Sequence, residues 1–133
     1  MTPRDLARVF LNKALQDEQV VDKLIDDRAI SDEAIGFHCQ QAAEKLLKSL
    51  LIDKQILFRR THDLTELAGL LEENGINLPN LLIPIKMLTP FAVEWRYDEY
   101  SLAAGQLFDR HSARDLVKKL RTWVESRMPQ RTS

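Results

Sequence analysis

The sequence predicts an all-α fold, an up-and-down bundle of about five helices. Three observations lead there. Apolar residues recur at spacings close to three, four and seven, the period of a helix with one buried face. No stretch alternates apolar and polar residues long enough for a strand. Four Gly and five Pro in 133 residues are too few for an all-β chain built on tight turns. Short connections between amphipathic helices give an up-and-down bundle. The length suits a single domain, residues 1–133, able to bury roughly two-thirds of its unfolded surface without a disulfide or a metal.

The first helix opens at Thr2, an N-cap residue, with Pro3 at the first helical position. Leu6, Phe10, Ala14, Val21, Leu24 and Ile25 give it one apolar face over about residues 3–26, and Asp17 falls on that face. Ser31 caps the second helix, with Asp32 and Glu33 in its first turn favoured by the helix dipole. Its stripe is Ile35, Cys39, Ala42, Ala43, Leu46, Leu47, Leu50 and Leu51, running to about Lys54. Around that stripe sit Gln40, Gln41, Glu44, Lys45 and Lys48, and Glu44 stands four residues before Lys48, the spacing of a helical ion pair. Thr61 or Asp63 caps a short third helix holding Leu64, Leu67, Ala68, Leu70 and Leu71, which Asn74-Gly75 stops. Pro84 and Pro90 interrupt the next stretch, yet Leu81, Leu82, Ile85, Leu88, Phe91, Ala92 and Trp95 keep helical spacing. A kinked or broken helix is expected from about Asn80 to Arg96, then a loop from Tyr97 to Phe108. Asp109 caps the last helix, whose buried face is Ala113, Leu116, Val117, Leu120, Trp123 and Val124.

Charge and composition exclude several functions. The longest apolar runs fall far short of the ~20 residues a membrane helix needs, so no membrane role is expected. A single Cys forbids an internal disulfide, and the charged N-terminus lacks the apolar core of an export signal, so a cytoplasmic location is expected. Nineteen Lys and Arg against 20 Asp and Glu leave a net charge of -1, but the two signs are segregated. Residues 17–33 hold seven acids and two bases, whereas residues 109–133 hold seven bases and three acids. Arg110, Arg114, Lys118 and Arg121 therefore make a basic face on the last helix, read either as phosphate contacts or as solvated charge.

No cofactor is expected. The residues three before His38, His62 and His111 are Ile35, Arg59 and Phe108, so the Glu-x-x-His pairs of a bundle metal site are missing, and there is no Gly-rich phosphate loop. Cys39 on an apolar face reads as core. The informative residues are polar groups set among apolar ones: Asp17, His38 and Gln41 on or beside the buried stripes, and Arg96 and Tyr97 after the run Phe91 to Trp95. A carboxylate, an imidazole and a guanidinium converging in a bundle satisfy one another, either as a network that fixes helix register or as a polar cleft for a phosphate.

The block from Phe37 through His38, Gln40, Gln41, Ala42, Ala43, Glu44 and Lys45 to Leu51 resembles the hallmark second helix of the HEPN domain family. Thr61-His62-Asp63-Leu64 resembles that family's turn before the third helix, and Phe91 to Tyr97 resembles the stretch before its Arg-Tyr-Pro signature, with Asp98 in place of the proline. Asp17 matches an acidic residue common in the family's first helix. The resemblance implies a helical bundle that pairs as a homodimer. It also implies a partnership with a minimal nucleotidyltransferase in a two-component, toxin–antitoxin-like system, and an association with RNA or nucleotides. Many members are metal-independent endoribonucleases that use an Arg-x(4–6)-His motif, the guanidinium holding the scissile phosphate and the imidazole moving the 2′-hydroxyl proton. No Arg stands five to seven residues ahead of any of the three His here. The expectation is thus a non-catalytic, nucleotide-binding module rather than an enzyme. The alternatives are an endoribonuclease with a rearranged site and a purely structural helical protein. Asp17, His38 and Arg96 are expected to meet across the first, second and fourth helices, with Arg96 as the phosphate-holding fork and Tyr97 at the rim.

Overall fold

The computed structural model describes residues 1–92 and 109–128. Among them lie four α-helices, α1 (Pro3–Leu24), α2 (Asp32–Asp53), α3 (Leu64–Glu73) and α4 (Arg110–Ser126), and a 3-10 segment, Asn80–Phe91. No strand occurs among the described residues. Each helix starts where a side chain can take over its orphan amides. Thr2 and Asp5 form a reciprocal capping box, Ser31 Oγ accepts from the Ala34 amide, Asp63 accepts from the Thr65 and Glu66 amides, and Asp109 accepts from the His111 amide. Of the two candidates at α3, Asp63 is the cap and Thr61 Oγ1 accepts from the Asp63 amide.

Two helices end alike. The Ile56 amide reaches the Leu51 carbonyl and the Gln55 amide reaches Ile52; the Ile76 and Gly75 amides repeat this on Leu71 and Glu72. Both turns need one residue with positive φ. Gly75 supplies it at +79° for α3, whereas α2 uses Gln55 at +58°.

α2 is the axis of the bundle, in contact with α1, α3, α4 and the 3-10 segment. Every residue of its predicted stripe is buried. α1 lies along it over the most extensive of these contacts. Of the expected face of α1, Ala14, Val21 and Ile25 are buried, but at its start the structure buries Ala7 and leaves Leu6 38% exposed. Small residues at seven-residue spacing let two helices approach closely, and the bulkier Leu6 is left outside.

The stretch from Asn80 is the second correction. Where a kinked or broken helix is expected, Asn80–Phe91 is a 3-10 segment rather than an α-helix; the expected continuation to Arg96 and the loop from Tyr97 to Phe108 lie outside the described residues. Pro84 and Pro90 have no amide to donate, and the buried residues Leu82, Ile85, Leu88 and Phe91 repeat every third position, the period of a 3-10 helix. Leu81, Ile83 and Met87 consequently point outward. Phe91 closes the segment against α2. A Cβ at Gly36 would stand 2.4 Å from the Phe91 ring, so only glycine fits there.

α4 is fastened to α1 and the α1–α2 turn by ion pairs. Glu18, 2% exposed, accepts from Arg114 Nη1 at 3.2 Å and from Arg121 Nε at 2.8 Å. Arg114 also forks onto Asp22, and Arg121 Nη2 reaches the Leu11 carbonyl at 2.9 Å. Arg110 gathers the carbonyls of Ile25 and Ile30 and the carboxylate of Asp32. The two oppositely charged tracts of the sequence are therefore the two sides of one interface.

Candidate functional site

α2 turns a half-buried polar stripe outward: His38, Gln41, Lys45 and Lys48, at successive spacings of three, four and three. Two carboxylates flank it, one from α1 and one from α2 itself.

Asp17 comes from α1. Its Oδ1 stands 3.0 Å from His38 Nδ1, and its Oδ2 accepts from Lys45 Nζ at 2.6 Å. The Asp17 side chain is nearly buried, whereas those of His38 and Lys45 remain 32% and 25% exposed. The carboxylate is thus sheltered while its two partners reach the surface. A carboxylate at Nδ1 selects the tautomer with hydrogen on that nitrogen and leaves Nε2 as the acceptor. The Phe37 ring stands edge-on to the His38 imidazole, centroids 5.1 Å apart, and limits its rotation.

The second cluster centres on Glu44. Its Oε1 stands 2.8 Å from His62 Nδ1 and accepts from Gln40 Nε2 at 3.0 Å, while Oε2 accepts from Lys48 Nζ at 2.7 Å. Gln40 also donates to the His62 carbonyl, which ties the turn before α3 onto α2, and Gln41 donates to Gln40. Lys48 Nζ lies 5.8 Å from the centre of the Phe58 ring. Burial pushes the Glu44 carboxyl upward, but hydrogen bonds from Lys48, Gln40 and His62 together outweigh it and hold Glu44 below the ordinary carboxylate range. Burial likewise pushes the Cys39 thiol up to about 12, which leaves it an inert core group.

Of the residues singled out by sequence, Asp17 and His38 meet, and Gln41 lies on the same stripe. Arg96 and Tyr97 fall outside the described residues. Arg110, Arg114 and Arg121 are committed to carboxylates and carbonyls within the fold, so they form neither a solvated face nor a free phosphate-binding row; their charge compensates buried acids. Lys118 remains exposed beside Asp22 and helps, after Arg114, to hold that carboxyl low. Sequence reasoning missed the cluster at Glu44. The apolar pattern places Gln40 and Glu44 around the stripe, yet both are buried. The available signal was their spacing of four on a helix buried almost all round, together with His62 in the motif that precedes α3.

Among the described residues no group of three or more His, Cys, Asp and Glu is arranged to hold a metal ion. No described helix is long and apolar enough to cross a membrane. The arrangement can do two things chemically. Its ammonium groups can meet an anion at the rim of α2, and the His38 imidazole, backed by Asp17, can accept a proton at Nε2. The family model of the HEPN domain matches residues 7–127, most of the chain. No curated protein and no solved structure matches it.

Proposed function

The chain belongs to the HEPN domain family, and we propose that it serves there as a dimeric binding and assembly module. In this reading it partners a minimal nucleotidyltransferase in a two-component, toxin–antitoxin-like system, and it engages RNA or a nucleotide through the polar stripe of α2. The observation that carries the reading is the Asp17–His38–Lys45 cluster. A sheltered carboxylate holds an imidazole and an ammonium at the surface, the ammonium placed to donate to phosphate oxygens. The missing Arg-x(4–6)-His spacing favours binding over cleavage. Arg96 is the guanidinium proposed to complete the phosphate contact, with Tyr97 beside it. The test is binding of a nucleotide and of a short RNA at low salt, measured by calorimetry. Loss of binding in Lys45→Ala and Arg96→Ala, and capture of the encoded nucleotidyltransferase by the dimer, are the expected results. A monomer at micromolar concentration that binds neither overturns the proposal.

A second reading rests on His62. Its Nδ1 faces the Glu44 carboxylate at 2.8 Å, and a carboxylate–imidazole pair is the kind of group that moves a proton in a metal-independent endoribonuclease with a rearranged site. RNA cleavage in the presence of a chelator, abolished in His62→Ala, would select this reading.

A further inference from the structure

A cleft of about 450 Å³ opens between the N-terminal half of α1 and the C-terminal half of α4, away from the stripe of α2. Arg4, Arg8, Leu11 and Leu15 line it from α1, and Arg121 and Met128 from the α4 side. These α1 positions follow one another at spacings of four, three and four, a second face of that helix beside the one that packs on α2.

The three guanidiniums differ. Arg4 is forked onto Asp53. Arg121 is held by Glu18, Glu125 and the Leu11 carbonyl. Arg8 has no ion-pair partner among the described residues and is exposed. Glu125, the acid in the lining, pairs with Arg121, and Asp53 pairs with Arg4, so among the described residues Arg8 supplies the charge left uncompensated at the cleft. Beside Arg8 lies apolar surface, with Leu15 41% exposed. The size falls in the ordinary range for small-molecule sites.

From this juxtaposition we propose that the cleft binds a small amphipathic monoanion, with its acid group on Arg8 and its apolar body against Leu11, Leu15 and Met128. A cation is repelled by Arg8, and a dianion finds one unpaired charge among the described residues. A small hydrophilic anion leaves the apolar wall unused, and a neutral apolar molecule leaves Arg8 unused. The planar fork of Arg8 suits the two oxygens of a carboxylate.

The test uses 8-anilinonaphthalene-1-sulfonate as a fluorescent amphipathic monoanion and decanoate as its competitor. Decanol and acetate serve as arms that lack the charge and the apolar body respectively. Saturable fluorescence displaced by decanoate is expected, with decanol and acetate at least tenfold weaker. Arg8→Ala should weaken both anions tenfold or more at an unchanged melting temperature, because Arg8 supports nothing else in the fold. Arg8→Lys, which keeps the charge and loses the fork, should fall between and guards against a folding defect in the alanine variant. Absence of saturable binding, equal displacement by decanol, or wild-type affinity in both Arg8 variants overturns the proposal.

Discussion

Asp17 and Glu18 are neighbours in the chain, both buried carboxylates on α1, and they are held in opposite ways. Glu18 lies between the guanidiniums of Arg114 and Arg121, whose side chains are 11% and 17% exposed. Asp17 lies between an imidazole and an ammonium that reach the surface. An arginine stays charged across the accessible pH range, and a buried acid between two such groups is locked. A histidine changes charge near neutrality, and a half-exposed lysine can trade its partner for a ligand. One residue step on a helix, a rotation of about 100°, thus separates a buried clamp from the proposed site. Identical carboxylate chemistry is closed off or left accessible by which cation faces it and by how much water that cation sees.

The comparison breaks most sharply at Glu18. Glu18→Ala removes the buried acid shared by two guanidiniums and leaves each with only its more exposed acid, Asp22 or Glu125. A loss of about 3–5 kcal/mol is expected, read as a large fall in melting temperature. Asp17→Asn should cost far less, about 1 kcal/mol for a partly exposed charged hydrogen-bond network, while removing binding at the stripe. Equal destabilisation by the two substitutions would abolish the distinction drawn here.

Gly36→Ala tests whether the stripe depends on the packing beneath it. The added methyl meets the Phe91 ring, and a loss of about 1–3 kcal/mol is expected from overpacking. Phe91→Leu in the same chain should recover part of it, which denaturant melts of the single and double variants will show.

Acid sharpens the comparison further. Glu44 and Asp22 both titrate below the ordinary carboxylate range, Asp22 chiefly through its hydrogen bond from Arg114. A carboxyl lowered by folding contributes stability fully above its unfolded value and loses it as pH falls through the folded value. Stability should therefore be level near neutrality and fall below about pH 4.5, and Glu44→Gln should flatten part of that fall. An unchanged acid limb in Glu44→Gln would remove Glu44 from the account.

The smallest effect lies outside both clusters. Gln55→Gly relieves a positive φ at the end of α2 and should stabilise the chain by about 0.5–1 kcal/mol. Ligand binding at the stripe should be unchanged.

Much of this was legible in the sequence because it is local. Caps at Thr2, Ser31 and Asp109 depend on three or four residues, and the stripe of α2 on one helical period. The meeting of Asp17 with His38 was legible as a polar residue on an apolar face that needed a partner. Glu18 was not, because its partners come from α4, and nothing near residue 18 announces two arginines. The choice of Ala7 over Leu6 for the buried face was equally hidden, since it depends on how closely α2 approaches. The 3-10 segment had its signal in Leu82, Ile85, Leu88 and Phe91, but a spacing of three also fits an α-helix until the prolines are given full weight.

The Glu18 clamp also sets a timetable. Its bonds to Arg114 and Arg121 join residues 96 and 103 positions apart. A ribosome adding roughly 5–20 residues per second exposes α1 and α2 several seconds before α4 appears. Through that interval Glu18 and Asp22 both lack their cations, and the side of α1 that will face α4 carries uncompensated acid. Docking of α4 supplies those cations, so this interface is neutralised only once the last helix has emerged.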